Sequence, residues 1–160
     1  MAIDPKYVGR TYGPYKYEVG LEKLREFAYS VAGGAPSTGF TGGPPPGLNP
    51  LLWDEEAAKK GPYGTVIAFP TFPVTFAIKP FGAAIGDKDL GVNVLMLVHG
   101  EQEFELFDVI RPGDVMTTTG KISKIYGKGG MDFLVVETES KNQTGKLVVK
   151  GVWTAVIRQK

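Results

Sequence analysis

The chain has 160 residues, enough for one domain with a hydrophobic core that needs no cross-links. It contains no cysteine and one histidine, His99, which excludes disulfide bonds, thiolate metal sites, a cysteine nucleophile and a multi-histidine metal site within one chain. Eighteen Lys and Arg face 17 Asp and Glu, for a formal net charge of +1, so neither a nucleic-acid partner nor a polybasic membrane surface is predicted.

Targeting and cofactor motifs are missing from the sequence. No apolar run has signal-peptide length, and none approaches the roughly 18 residues of a transmembrane helix. We therefore expect a cytoplasmic protein without membrane insertion. Neither Gly-x-Gly-x-x-Gly nor a phosphate-binding loop occurs, so no nucleotide cofactor is predicted, and no metal.

The first elements predicted are a strand and a helix. Residues 15–19 are aromatic and β-prone, which favours a first strand. Apolar residues then recur at the spacing of one helix face, while charged residues occupy the other face. The apolar face comprises Leu21, Leu24, Phe27, Ala28 and Val31.

A stretch rich in glycine and proline follows, from residue 33 to residue 50, where 11 of 18 residues are Gly or Pro. A loop of this length is functional or an irregular surface insert, and the insert is the favoured interpretation. Residues 44–46, all proline, predict a stiff loop rather than a polyproline ligand, because no basic residue flanks them. Residues 54–60 then predict a short helix that Asp54 caps and Gly61 ends.

Residues 67–85 form an apolar segment whose one charged residue is Lys79. Pro70 and Pro73 suit the first turn of a helix, where backbone N–H groups lack partners, and Pro80 should end or kink that helix. An almost uncharged helix is one that is buried on nearly all sides.

The second half predicts four strands, at residues 93–107, 115–126, 131–142 and 146–158, with turn-forming residues between them. Helices early, a buried helix in the middle and then an antiparallel meander indicate an α+β fold. A sheet wrapped around a long buried central helix is the hot-dog fold. One such domain over residues 1–160 is therefore predicted.

A catalytic set is difficult to assemble from these elements. No Gly-x-Ser-x-Gly motif is present, and His99 lies within a predicted strand. His99, Glu101 and Glu103 form a stripe, and such stripes are usually solvated or at an interface. A structural role for His99 is favoured over a catalytic one.

Four motifs in the chain resemble those of the MaoC-like enoyl-CoA hydratases. Residues 49–54, Asn-Pro-Leu-Leu-Trp-Asp, resemble the family signature, which in catalytic members reads Asp-x-Asn-Pro-x-His. Residues 67–73, 99–104 and 111–114 resemble the N-terminal, non-catalytic half of two-domain members and the non-catalytic subunit of heterodimeric (3R)-hydroxyacyl dehydratases. The resemblance extends from Tyr7 to Arg158 and implies reversible addition of water to an enoyl thioester by general acid–base catalysis.

The catalytic positions of the family are replaced in this chain. The resemblance places the catalytic Asp at Gly47 and the catalytic His at Leu52. The backbone N–H that would polarise the thioester carbonyl falls at Pro70, which has none. The chain is therefore predicted to lack catalytic residues of its own and to be inactive alone.

The resemblance implies a binding role instead. Phe69, Thr71, Phe72 and Phe76 would line the groove that holds the acyl chain of an acyl-CoA or acyl-carrier-protein thioester, although core packing explains the phenylalanines equally well. A catalytic MaoC-like hot-dog subunit would be the partner. The alternative is a homodimer that binds acyl thioesters or lipids without catalysis. A thioesterase is weaker, because residues 69–83 contain no acid.

Overall fold

The computed structural model describes residues 3–33 and 44–158. Residues 34–43 lie outside the described residues, and with them most of the stretch predicted to be a surface insert. The chain divides into two compact units, one of Met1–Tyr17, Pro73–Phe107 and Met116–Lys160, the other of Glu18–Phe72 and Asp108–Val115. A single domain over residues 1–160 stays a prediction.

The first unit is built on a five-stranded antiparallel sheet in the order β1-β3-β4-β5-β2. Asn142 closes the turn between the last two strands, since its side-chain oxygen accepts hydrogen bonds from the backbone N–H groups of Thr144 and Lys146, each at 3.1 Å. All four strands predicted in the second half of the sequence are confirmed. The strands are β1, Thr11–Glu18; β2, Leu97–Leu106; β3, Val115–Lys128; β4, Met131–Lys141; and β5, Leu147–Arg158.

β2 begins later than the sequence indicates. The Asn93 side chain accepts a hydrogen bond of 3.2 Å from the backbone N–H of Leu95 and thereby caps a 3₁₀ helix, Val94–Met96. These residues are β-prone, but the local cap competes with strand pairing and delays the strand until Leu97.

The apolar segment forms two short helices, α3 (Val74–Ala77) and α4 (Lys79–Ile85), which meet at Ile78. Pro73 is the cap residue of α3, so the prediction that Pro70 lies in the first helical turn was wrong. The predicted kink at Pro80 is confirmed, because a proline inside a continuous helix would leave a carbonyl without its N–H partner. The central helix is therefore broken rather than continuous.

The central helix packs on the sheet through α4. The rings of Phe81 and Trp153 stack with centroids 5.8 Å apart. The Trp153 indole N–H donates a hydrogen bond of 3.0 Å to the Thr138 hydroxyl inside the core. Ile78, Lys79 and Gly82 remain exposed, which corrects the expectation of burial on nearly all sides.

The second unit contains α1 (Leu21–Val31), a 3₁₀ helix (Pro50–Leu52) and α2 (Glu55–Lys59). Arg25 of α1 joins them: its Nε donates a 2.8 Å hydrogen bond to the Trp53 carbonyl, and its Nη2 lies 3.1 Å from a Glu55 carboxylate oxygen. Both helices were predicted from their apolar spacing and caps. Among the described residues, no helix is long and apolar enough to cross a membrane.

Candidate functional site

The turn that resembles the family signature is ordered by Asn49. Its side-chain oxygen accepts a hydrogen bond of 3.0 Å from the backbone N–H of Leu51, and the 3₁₀ helix starts at the next residue, Pro50. Two residues before Asn49, Gly47 is exposed and has a φ of +82°. An L-amino acid such as aspartate adopts this backbone conformation only with strain, so the position suits glycine.

Leu52, the residue predicted to stand at the position of the family histidine, is only 8% exposed. Its apolar side chain packs in the second unit and offers no group that could transfer a proton. The nearest acid along the chain, Asp54, is already engaged: its Oδ1 accepts hydrogen bonds from the backbone N–H groups of Glu56 (2.9 Å) and Ala57 (3.1 Å) as the cap of α2. Asp54 therefore serves the local fold rather than an acid–base pair.

The segment before the central helix was predicted to lack the backbone N–H that would donate a hydrogen bond to a thioester carbonyl. Pro70 is exposed and has no backbone N–H. The N–H of Phe72 donates a hydrogen bond of 2.8 Å to the Phe69 carbonyl, so it is already used within the turn. Thr71, between them, is exposed.

The four predicted substrate-binding residues fall into two classes. Phe72 is fully buried and contacts Phe27 edge-on, with ring centroids 5.4 Å apart. Phe76 is also buried and stacks on Tyr17 at 5.5 Å. Phe69 is half-buried and Thr71 is exposed. Core packing accounts for the buried pair in this chain, and the contact of all four with an acyl chain stays a prediction.

His99 lies on β2 with its ring against the aromatic core of the first unit. The imidazole stacks on Trp153, with centroids 5.8 Å apart and planes 19° apart, and lies 5.4 Å from the Phe81 ring. Its Nε2 is 3.1 Å from the carbonyl oxygen of Glu101. This packing supports a structural role for the ring, which is exposed at the sheet edge. A β-bulge between His99 and Glu101 places His99 on the face opposite the glutamates, so the predicted stripe of His99, Glu101 and Glu103 does not form.

Two surface cavities have none of the predicted binding residues in their linings. One, of about 480 Å³, is lined by residues of β1, β3 and β4. The other, of about 420 Å³, has four carboxylates and Arg25 in its lining, which would repel the phosphates of a thioester carrier. The carboxylates of the second cavity belong to Glu22, Asp54, Glu55 and Glu56. Among the described residues, no group of three or more His, Asp or Glu side chains could hold a metal ion.

The feature that sequence reasoning missed is an apolar strip at the edge of the sheet. β2 is the terminal strand in the order β1-β3-β4-β5-β2, and Leu95 and Val98 beside or within it are 90% and 61% exposed. The predicted stripe of His99, Glu101 and Glu103 was the one signal in the sequence, since it indicated a solvated or interface strand. Further exposed apolar residues here are Val94, Met96, Leu106 and Phe107.

This strand order, with a central helix on one face of the sheet, defines a hot-dog domain. Residues 6–151 match the family model of the FAS1-like dehydratase domain region, and the chain belongs to that family. A UPF0336 protein of Streptomyces avermitilis is 38% identical over 159 residues, covering 99% of this chain and 97% of that relative.

Solved structures share the fold at lower identity. The HadBC (3R-hydroxyacyl-ACP dehydratase) complex of Mycobacterium tuberculosis is 24% identical, with a TM-score of 0.73, and the match covers 94% of this chain and 96% of that one. The ChsH1–ChsH2 complex of the same organism is 12% identical, with a TM-score of 0.70, covering 94% and 89% of the two chains. These likenesses establish the hot-dog fold predicted from the sequence.

Proposed function

We infer that this chain is the non-catalytic, substrate-binding subunit of a MaoC-like enoyl-CoA hydratase, or 3-hydroxyacyl thioester dehydratase. A second hot-dog chain supplies the catalytic Asp and His. The reaction is the reversible addition of water to an enoyl thioester, carried by CoA or by an acyl carrier protein, as in cytoplasmic fatty-acid metabolism. It requires no metal or organic cofactor from this chain.

The observation that carries the proposal is the chemistry of three positions in the second unit. Gly47 has no side chain to hold a proton, Leu52 is apolar and buried, and Pro70 has no N–H to polarise a carbonyl. General acid–base catalysis needs a titratable group within hydrogen-bond reach of the substrate. A family member without these groups keeps a role in binding, provided that a partner supplies the chemistry.

The surface of the first unit supports pairing with another hot-dog chain. Among the residues that the structure describes, β2 pairs only with β5, and its other edge lies beside exposed apolar side chains, which is the kind of edge that a second sheet extends. On the central helix, Ile78 and Gly82 are also exposed. Two domains joined through β2 would form one continuous sheet. The HadBC and ChsH1–ChsH2 structures are each named as complexes.

The substrate contacts follow from exposure. Thr71 is exposed and Phe69 half-buried, so these two residues can contact an acyl group directly. Phe72 and Phe76 are each buried, so neither side chain is open to a ligand in the unpaired chain. A lipid-binding homodimer would use the same residues without any catalytic partner.

The proposal is tested by measuring hydration of crotonyl-CoA by the purified chain alone and after co-expression with a hot-dog protein from a neighbouring gene that encodes Asp-x-Asn-Pro-x-His. We expect no activity from the chain alone and activity from the co-purified pair. Substituting the Asp or His of the partner should abolish the activity of the pair. Robust hydration by the pure chain would overturn the non-catalytic role.

A second readout separates the homodimeric alternative. Mass spectrometry of the intact protein under native conditions reports the stoichiometry and any bound acyl species. A stable homodimer that carries an acyl ligand and does not join the catalytic chain would contradict the subunit proposal and support a binding protein.

A further inference from the structure

The edge strand β2 has two chemically different faces. Pairing with β5 sets Glu101 opposite Thr154, Glu103 opposite Val152 and Glu105 opposite Lys150. Directly opposed residues of antiparallel strands point to the same side of the sheet, so the three glutamates share one face. The other face carries Gln102, Phe104 and Leu106, and Phe104 packs edge-on against Trp153, the residue that stacks on Phe81 of the central helix. The glutamates therefore lie on the outer face, away from the helix.

The three glutamates are available to a partner. All three are exposed, and within residues 3–33 and 44–158 no ion pair involves any of them. Lys150, opposite Glu105 on β5, lies 3.6 Å from Glu139 on its other side. The outer face of this edge is thus a row of three glutamates that form no ion pair within the described residues, with Lys150 as the neighbouring cation on β5.

This row has a consequence for pairing with a second copy of the chain. In a continuous sheet with both central helices on one side, an outer-face residue can oppose only another outer-face residue. Two copies related by a two-fold axis place residue i opposite residue j, and j opposite i. Consider an antiparallel pairing of two β2 strands whose two-fold axis passes anywhere between residues 101 and 105. At least one glutamate of one copy then lies directly opposite a glutamate of the other copy. Like charges directly opposite one another destabilise a sheet.

We propose that β2 is a pairing strand that disfavours a second copy of this chain and selects a hot-dog chain whose own edge strand carries Lys or Arg on its outer face. Apolar contact through Val98 and Leu106 supplies non-specific attraction, and charge decides the partner. The identity of that partner as a hot-dog chain rests on the proposed function. The pairing rule itself rests on the register of β2.

The test uses a basic version of the same chain as the probe. The variant Glu101→Lys, Glu103→Lys, Glu105→Lys presents lysines wherever the unmodified chain presents glutamates. Sedimentation velocity measures association of the unmodified chain, of the variant and of a 1:1 mixture, at low and at high salt. We expect the mixture to form a dimer with a dissociation constant at least tenfold below that of either protein alone, and salt to weaken that dimer by screening.

The matched control is Glu18→Lys, Glu26→Lys, Glu56→Lys, which makes the same charge change outside β2 and at residues that do not line the cavity shared by Glu103 and Glu105. Its mixture with the unmodified chain should associate no more tightly than the unmodified chain alone. Equal association by control and edge variant, or no association of the edge mixture, would overturn the proposal. Circular dichroism establishes that each variant is folded.

A measurement on the unmodified chain tests the pairing rule even if the variant does not fold. Self-association of the unmodified chain should strengthen as salt increases, because screening removes the repulsion between glutamates. A tight homodimer at low salt that salt leaves unchanged or weakens would contradict the pairing rule. Neither measurement uses a thioester. If the chains associate according to charge but no co-purified pair hydrates crotonyl-CoA, the pairing rule is retained and the proposed function is rejected.

Discussion

Pro80 of α4 and Gly120 of β3 touch where the central helix crosses the sheet. A Cβ placed on Gly120 would lie 2.3 Å from the Cβ and 3.1 Å from the Cγ of Pro80. The proline ring is part of the helix backbone and cannot rotate away as a flexible side chain can. The absence of a side chain at residue 120 therefore sets how closely α4 approaches the sheet.

Gly120→Ala should destabilise the protein by about 1–3 kcal/mol, because α4 must move outward to admit the methyl group. Denaturant unfolding followed by circular dichroism measures the loss. Gly82→Ala is the control, since a Cβ at Gly82 meets nothing within 4 Å and alanine favours the helix. The control should keep or raise the free energy of unfolding. Equal stabilities for the two variants would show that the contact is not a constraint.

Thr138→Val should destabilise the core by about 1–3 kcal/mol, because it leaves the buried Trp153 indole N–H without its hydrogen-bond acceptor. Valine has nearly the shape of threonine, so the loss reports the hydrogen bond rather than a cavity. Tryptophan fluorescence during urea unfolding gives the free energy. Thr119→Val on the exposed face of the same sheet should change it by less than about 0.5 kcal/mol. A similar effect of both substitutions would refute the assignment.

Tyr12→Phe should reduce stability at neutral pH by about 1 kcal/mol and make it less sensitive to alkali. Burial, followed by the 2.8 Å hydrogen bond that the Tyr12 hydroxyl donates to Asp87, raises the pKa of Tyr12 well above its usual range. The folded state thus favours the neutral phenol. This contribution is complete below the unfolded pKa of about 10 and is lost as the pH rises above it.

Melting temperatures measured between about pH 8 and pH 11 test whether the contribution of Tyr12 to stability is lost as the pH rises. The unmodified chain should lose more stability over that range than Tyr12→Phe. Tyr63→Phe, at an exposed tyrosine, should behave as the unmodified chain does. Parallel pH profiles for the unmodified chain and Tyr12→Phe would count against a role for this phenol.

Leu52→His places a histidine at the position predicted for the family histidine, but it should destabilise the chain by about 2–4 kcal/mol and confer no hydration of crotonyl-CoA. Leu52 is 8% exposed, so an imidazole there would be buried without an arranged partner, and Gly47 and Pro70 still lack the groups that complete the reaction. Leu52→Met, which preserves volume, should cost less than about 1.5 kcal/mol. Activity in the single histidine variant would mean that the other two positions are not needed.

Elements whose signals are local were predicted well from the sequence. α1 follows apolar residues at helical spacing, and α2 starts where Asp54 accepts hydrogen bonds from two backbone N–H groups. Asn49 likewise orders its turn through Leu51, two residues away. Each of these signals lies within a few residues of its effect, which is why pattern alone finds it.

Competition between neighbouring signals explains the local errors. Two prolines, Pro70 and Pro73, each suit a helix start, and the sequence does not say which of them the tertiary structure uses. The structure begins α3 after Pro73 and breaks the helix before Pro80. At β2, the cap made by Asn93 prevails over the β-propensity of the residues that follow.

By itself the sequence determined the elements of an α+β hot-dog fold and the absence of cysteine chemistry, and its resemblance to a family predicts the replacement of three catalytic positions. Only the tertiary structure decided that β2 ends the sheet, that Phe72 and Phe76 are core residues and that three glutamates line a free edge. Burial and edge position depend on which distant strands pair. Strand pairing is a non-local choice, and hydrophobic periodicity within one segment does not encode it.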